Sequence, residues 1–273
     1  MMLSTTPVSS VFPCGPHWSA WSFSKWPTRA TPLFSNLPEL PMENFKRYSL
    51  PLSLLALCAC NTGPDLAQQP SESPATAWVD LSQASSWRGY KKDHLPDAWV
   101  VADGVLHLTG AGDGGDLVSQ ETYGSFELRM QWKISPKGNS GVMFHVLEGQ
   151  GPTFFTGPEM QVLDNAWFDG EKPNPLTSAG ANYALHGPVE DNTRPVGEWN
   201  DVLLTVDGNH VEHWMNGKLQ CSYDLHSDEW KAAVANSKFK QWPNYGLAKQ
   251  GHIALQDHGN QVWYRAIEVR RLD

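Results

Sequence analysis

The chain has 273 residues, 40% hydrophobic and 18% charged, enough for one large or two small domains with a sizeable core. Its formal charge of −9 and pI near 5.5 argue against a nucleic-acid partner, whose phosphates call for a basic face. Thirteen Trp, 23 Gly and 20 Pro suit many short strands and turns better than helices.

Residues 1–41 are rich in Pro, Ser and Trp, with charge only at Lys25, Arg29 and Glu39. They read as an extension upstream of the true start, which is expected at Met42. A basic stretch ending in Lys46-Arg47 follows, then a short apolar run. That is a signal-peptide pattern over 42–60, too short to span a bilayer as a mature helix. Leu57-Cys58-Ala59-Cys60 resembles a bacterial lipobox. Cys60 is then the lipidated mature N-terminus, and Cys58 leaves with the signal. The expected protein is exported and lipid-anchored, facing the periplasm or the cell surface. Cys14, Cys58, Cys60 and Cys221 show no disulfide or zinc spacing. The polar, Pro/Ser-rich residues 61–77 read as a flexible tether, and the folded domain is placed at 78–273.

From Trp78 onward the pattern is nearly all β. Residues 99–108 hold two short apolar runs around Ala102-Asp103-Gly104, a hairpin signal. Phe126–Ile134 alternates apolar and polar residues as a half-buried strand does. Two further strands are expected on either side of a Gly/Pro-rich loop within 139–165. Others follow near 199–206, 210–215, 253–256 and 262–271, with turns at Asp207-Gly208-Asn209 and Asn216-Gly217. Only 228–236 suits a short helix. Many antiparallel strands over about 195 residues imply a sandwich of two sheets.

Chemistry concentrates in 139–165, read N-S-G-V-M-F-H-V, loop, T-G-P-E-M-Q-V-L-D-N. Residues two apart on a strand share a face, so Glu159 goes with Gln161, and Gly141 and Met143 with His145. Glu159-x-Gln161-x-x-Asp164 has nearly the spacing of the E-x-D-x-x-E motif of laminarinase-like glycosidases. Here an amide holds the centre and the last acid is shorter. A strand-end Asp164 also suits a backbone-bonding role. His145 is read either as a structural residue or as a base. Gln256 and His258 share one parity, and Asp257 can orient an imidazole. Asn139 and Asn165 suit turns or ligand contact. His145, His258, Glu159 and Asp257 are candidates to hold a divalent metal, without a diagnostic spacing. Trp132 belongs to a core face. Trp167, Phe168, Tyr183 and Trp242 lie in loops, where flat rings can stack on sugars.

Five ordered segments carry a family resemblance: N-S-G-V-M-F-H, T-G-P-E-M-Q-V-L-D-N, G-E-W-N, W-M-N-G-K and G-H-I-A-L-Q-D-H-G. Together they resemble the 3-keto-disaccharide hydrolase domain over roughly 78–272. The resemblance implies an all-β, concanavalin A-like jelly-roll sandwich of two antiparallel sheets. It also implies a carbohydrate substrate whose sugar carries a ketone at C3, and hence a functional link to a sugar 3-dehydrogenase. Family members often carry Arg where this chain has His145. Many also have a His shortly after the D-N pair, where this chain has Ala166-Trp167-Phe168.

A C3 ketone acidifies the C2 proton. A base can remove it, and the C1 substituent then leaves before water adds. On this reading Glu159 or His145 is the base and His258, with Asp257, stabilises or protonates. Gln161, Asn139, Asp164, Asn165, Gln256, Trp167 and Tyr183 contact the sugar. The competing readings are a lectin-like, non-catalytic lipoprotein and a conventional endo-glucanase.

Overall fold

The structure, a computed structural model, describes residues 77–168 and 174–273, with the side chains of Trp167 and Phe168 left out. The extension, signal segment, Cys60 and nearly all of the tether therefore lie outside the described residues.

The expected strands form. In chain order they are β1 (Val79–Asp80), β2 (Trp87–Gly89), β3 (Trp99–Ala102), β4 (Val105–Leu108), β5 (Leu117–Tyr123), β6 (Phe126–Ile134), β7 (Asn139–Val146) and β8 (Glu159–Leu163). After a long loop come β9 (Asn200–Asp207), β10 (His210–Met215), β11 (Lys218–Asp224), β12 (Gly251–Leu255) and β13 (Val262–Arg271). One α-helix, α1 (Asp228–Ala235), sits where a helix is expected. Its Ser227 cap accepts from the Trp230 N–H, and Asp228 and Glu229 occupy the first turn.

All pairings are antiparallel and make two sheets. One runs β11-β10-β9-β6-β13-β4-β3, with β1 added beside β13; the other runs β2-β5-β12-β7-β8. This is the jelly-roll sandwich the sequence implies. Turn chemistry sets the registers. Asp103-Gly104 and Asn216-Gly217 both have positive φ, the geometry of tight hairpins that follow strand twist. The alternation of β6 is realised: Phe126, Leu128, Met130, Trp132 and Ile134 are all buried between the sheets. They meet Val142, Phe144, Val162, Ile253 and Leu255 from the smaller sheet.

Two features of the smaller sheet position the site. First, β7 carries a bulge. On β12 His252 faces Val146 and Ala254 faces Met143, so three steps on β7 match two on β12. His145 takes up the extra residue with φ +52. Gly251 makes this possible, because a Cβ there would overlap the His145 carbonyl carbon and stand 2.7 Å from the Val146 nitrogen. Second, the outer face of this sheet, away from the larger one, has its own small core. Val118, Met143, Val146 and Ala254 are fully buried there under Tyr90 and Phe154. The Tyr90 hydroxyl donates to the Leu147 and Gly151 carbonyls, which holds this cover in place. The cover closes the middle of the outer face and leaves an opening beside β8.

Candidate active site

At that opening is a cavity of about 200 Å3 lined by Asn139, Phe154, Glu159, Gln161, Tyr183, Lys238, Phe239, Gln256 and His258. Its floor is the paired run of β7 and β8, with Gly141 opposite Gln161 and Met143 opposite Glu159. Behind the floor, the Ser140 hydroxyl donates to the Gln256 carbonyl and accepts from the Tyr264 hydroxyl at 2.8 Å. This chain of bonds ties the site to the larger sheet. At the open edge of β8, the Tyr183 N–H donates to the Glu159 carbonyl and the Gln161 N–H to the Ala181 carbonyl. The strand that carries the acid is therefore bonded on both sides.

Glu159 is 6% exposed, and among the described residues nothing donates to its carboxyl group. Burial pushes its pKa up to about 8; nearby Lys238 pulls it down and Asp116 pushes it up. At neutral pH it is mostly an uncharged acid. Its side chain lies flat across Gly141, where a Cβ would overlap Oε1 and stand 2.8 Å from Cδ and Cγ. The contact is with the flexible end of a side chain, so Gly141→Ala should displace the carboxyl with little harm to the fold. We expect kcat/KM to fall about tenfold or more, with a melting temperature near wild type. Full activity in this variant would show that the position of Glu159 is unimportant.

Gln161 is 2% exposed; its Nε2 donates to the Thr177 carbonyl and its Oε1 has no partner among the described residues. Asn139 likewise has a buried Oδ1 without a partner among the described residues. A buried acceptor left unpaired is costly unless a ligand or water supplies a donor. Two such acceptors beside an uncharged acid suit a ligand rich in hydroxyls. Tyr183 and Gln256 line the same cavity half-buried, and His258 lines it exposed.

Other expected site residues lie elsewhere. The bulge turns His145 off the Glu159 face. Its ring packs against Phe126 and Phe144, and its Nε2 bonds the Gly124 carbonyl at 2.8 Å. Burial drives its pKa down, against the upward pull of the Gly124 carbonyl. It is buried at the edge of the core and does not line the Glu159 cavity. Asp257 is used by the backbone: Oδ2 accepts from the Gly115 N–H and Oδ1 from the Gly259 N–H. Asp164 accepts from the Lys137 and Ala166 N–H groups. Asn165 accepts from Ala179 and donates to Asp191. Asp164 and Asn165 line a larger cavity of about 730 Å3 beside Trp132, Arg194 and Asn200. In that larger cavity backbone N–H groups occupy both oxygens of Asp164, and its two other acids, Asp191 and Glu198, are exposed, so it holds no buried carboxyl left unpaired as Glu159 is. Trp167 lies on the 3-10 turn Asn165–Phe168, and its side chain is outside the described residues. Trp242 stacks on Phe155 at 4.6 Å and backs the cavity wall without lining it. No three His, Cys, Asp or Glu among the described residues are placed to hold a metal. The metal set considered from the sequence does not assemble, since His145 is in the core and Asp257 is occupied.

Three cavity residues, Phe154, Lys238 and Phe239, carry no motif; they come from loops. Asp116 also matters, although it does not line the cavity. Its Oδ1 accepts from the Asp257 N–H and its other oxygen from the Thr153 hydroxyl. It thereby fixes the loops that carry His258 and Phe154. Burial raises its pKa most, and hydrogen bonds from Thr153 and Asp257 oppose this. A Gly-Gly pair just before a strand was its only trace in the sequence.

A family model described as the 3-keto-alpha-glucoside-1,2-lyase-like domain matches residues 75–270. A Bacteroides thetaiotaomicron protein named 3-keto-disaccharide hydrolase is 35% identical over 219 residues, 69% of this chain and 75% of that protein. A crystal structure of a provisionally named glycosyl hydrolase from Parabacteroides distasonis ATCC 8503 has 31% identity and a TM-score of 0.65, covering 72% of this chain and 94% of that one. A second structure from the same organism, also provisionally named a glycosyl hydrolase, has 24% identity and a TM-score of 0.56, covering 72% and 100%; it supports the fold alone. With 196 of 273 residues inside the family match, this chain belongs to the 3-keto-alpha-glucoside-1,2-lyase-like domain family.

Proposed function

We propose that this protein cleaves the glycosidic bond of a small glycoside whose sugar carries a ketone at C3, by elimination followed by hydration. The observation that carries this reading is Glu159: a lone buried carboxyl with a pKa near 8, on the floor of a cavity with polar walls. A general base works best when its pKa lies near the working pH. Ionised Glu159 takes the C2 proton. The electron pair moves onto the C3 oxygen as an enolate, then returns to form the C1=C2 bond and expel the C1 substituent. The leaving oxygen takes a proton from Glu159 or His258. Water then adds at C1 while C2 regains a proton, giving net hydrolysis. Gln161 and Asn139 accept hydrogen bonds from sugar hydroxyls, and Tyr183 flanks the ring.

The names of the relatives support this class of substrate, and so does the shape of the site. A retaining glycanase needs two carboxyl groups about 5–5.5 Å apart. Glu159 is the only acid among the described residues that line the cavity. A cavity of about 200 Å3 beside the covered middle of the outer face suits one sugar ring better than a polysaccharide chain. Both points weigh against an endo-glucanase.

Turnover of a 3-keto-glucoside in D2O is the test. We expect deuterium at C2 of the released sugar, and its absence would sink the elimination route. The ketone has to come from an enzyme that oxidises C3, so we propose that such an oxidoreductase supplies the substrate. We also propose export and anchoring through a lipid on Cys60. Mass spectrometry of the membrane-bound protein should find a mature chain that begins with a lipidated Cys60. An unmodified Cys60 within a longer chain would count against anchoring.

A further inference from the structure

Lys238 is the one lysine or arginine among the described residues that line the Glu159 cavity; burial pulls its pKa down and Glu159 pulls it up. It has no ion-pair partner among the described residues. Its Nζ lies 4.3 Å from the centre of the Tyr183 ring and 5.4 Å from that of Phe239. The nearest acid it senses, Glu159, is mostly uncharged at neutral pH. Among the described residues the wall therefore carries a positive charge that no ionised partner pairs, next to the place where the substrate must sit.

The support beneath Lys238 is firm. It opens the 3-10 turn Lys238–Gln241, which Ser237 caps by accepting from the Phe239 N–H at 3.1 Å. Phe239 stacks on Tyr245 at 3.9 Å, Tyr245 on Trp230 at 5.9 Å, and Trp230 on Tyr223 at 5.5 Å. This aromatic ladder seats a short, isolated turn against the core. The backbone is held while the four-carbon arm can follow a ligand.

We propose that the Lys238 ammonium stabilises the negative charge that develops on the substrate during turnover, chiefly on the C3 oxygen as C2 loses its proton to Glu159. The inference rests on the elimination reading above. Lys238 keeps its proton and forms no covalent bond. Its contribution is a fixed charge facing a developing one in a partly dry site, where such an interaction is strongest.

The test compares Lys238→Met and Lys238→Arg with wild type on an aryl 3-keto-glucoside, run in D2O. The Lys238 side chain is exposed, so melting temperatures should match. We expect kcat of Lys238→Met to fall about 10²–10³-fold with KM changed about threefold or less, and Lys238→Arg to recover much of the loss. A kcat within about threefold of wild type, or a loss confined to KM, overturns the proposal. Deuterium at C2 in the wild-type product judges the elimination route separately. Without it that route falls and takes this inference with it, whereas a deuterated product with an unchanged Lys238→Met kcat overturns this inference alone. If wild type cleaves neither keto nor plain glycosides, this inference falls together with the enzymatic reading.

Discussion

Glu159→Gln is expected to remove turnover while keeping the fold. The amide is isosteric and leaves the buried position filled, but it can neither accept the C2 proton nor return one. General acid–base catalysis by a placed side chain is worth about 10²–10⁴-fold, and kcat/KM should fall by that much. Binding of the sugar product should survive, because Gln161 and Asn139 are untouched. A lectin-like protein would show the reverse: no turnover to lose, and only a shift in affinity.

The same variant carries a stability signature. The Glu159 carboxyl ionises near its ordinary value of 4.5 in the unfolded chain and near 8 in the folded one. Between these values the folded state holds a proton that the unfolded state releases. The stability this contributes is full below about pH 4.5 and is lost as pH rises through about 8. At about 1.4 kcal/mol per unit, the loss is of the order of a few kcal/mol. Glu159→Gln should therefore gain on wild type as pH rises from about 5 to 9, read as a widening gap in melting temperature. Parallel melting temperatures across that range would show that the carboxyl is not held protonated by burial. Wild-type kcat/KM should climb over the same range and level off above about pH 8, as the base becomes ionised.

Gly251→Ala is expected to be the most damaging single methyl group in the domain. The added carbon meets backbone: it would overlap the His145 carbonyl carbon and stand 2.7 Å from both the His145 Cα and the Val146 nitrogen. No side chain can turn aside to relieve it, so β7 and β12 must separate at the bulge. Overpacking of this kind costs about 3 kcal/mol. For a domain near 200 residues that is a drop of about 6–12 °C in melting temperature. A drop under about 2 °C would mean that the bulge is soft and does not fix the site. Activity should fall as well, since β7 forms half of the cavity floor.

Much of the fold could be read from local pattern. The alternation in Phe126–Ile134, the Asp-Gly and Asn-Gly turns and the single short helix all reflect short-range rules, and each has its expected place. Glu159 and Gln161 were legible for the same reason, because a period of two carries over unchanged in an unbroken strand. The sequence left His145 open between a structural residue and a base because that period fails at a bulge, and the cause of the bulge, Gly251, is over a hundred residues away. Asp164 and Asp257 looked like site acids because sequence spacing does not show which backbone N–H groups will occupy a carboxylate.

The separation runs along the range of the forces involved. Strand identity, turn type and the pairing of Glu159 with Gln161 follow from neighbours within a few residues, so the order of side chains already contains them. The cavity, the charge on Lys238 beside it and the high pKa of Glu159 do not. They arise where loops distant in the chain exclude water from one carboxyl group. That exclusion, which only packing sets, is what makes an ordinary glutamate able to trade a proton near neutral pH.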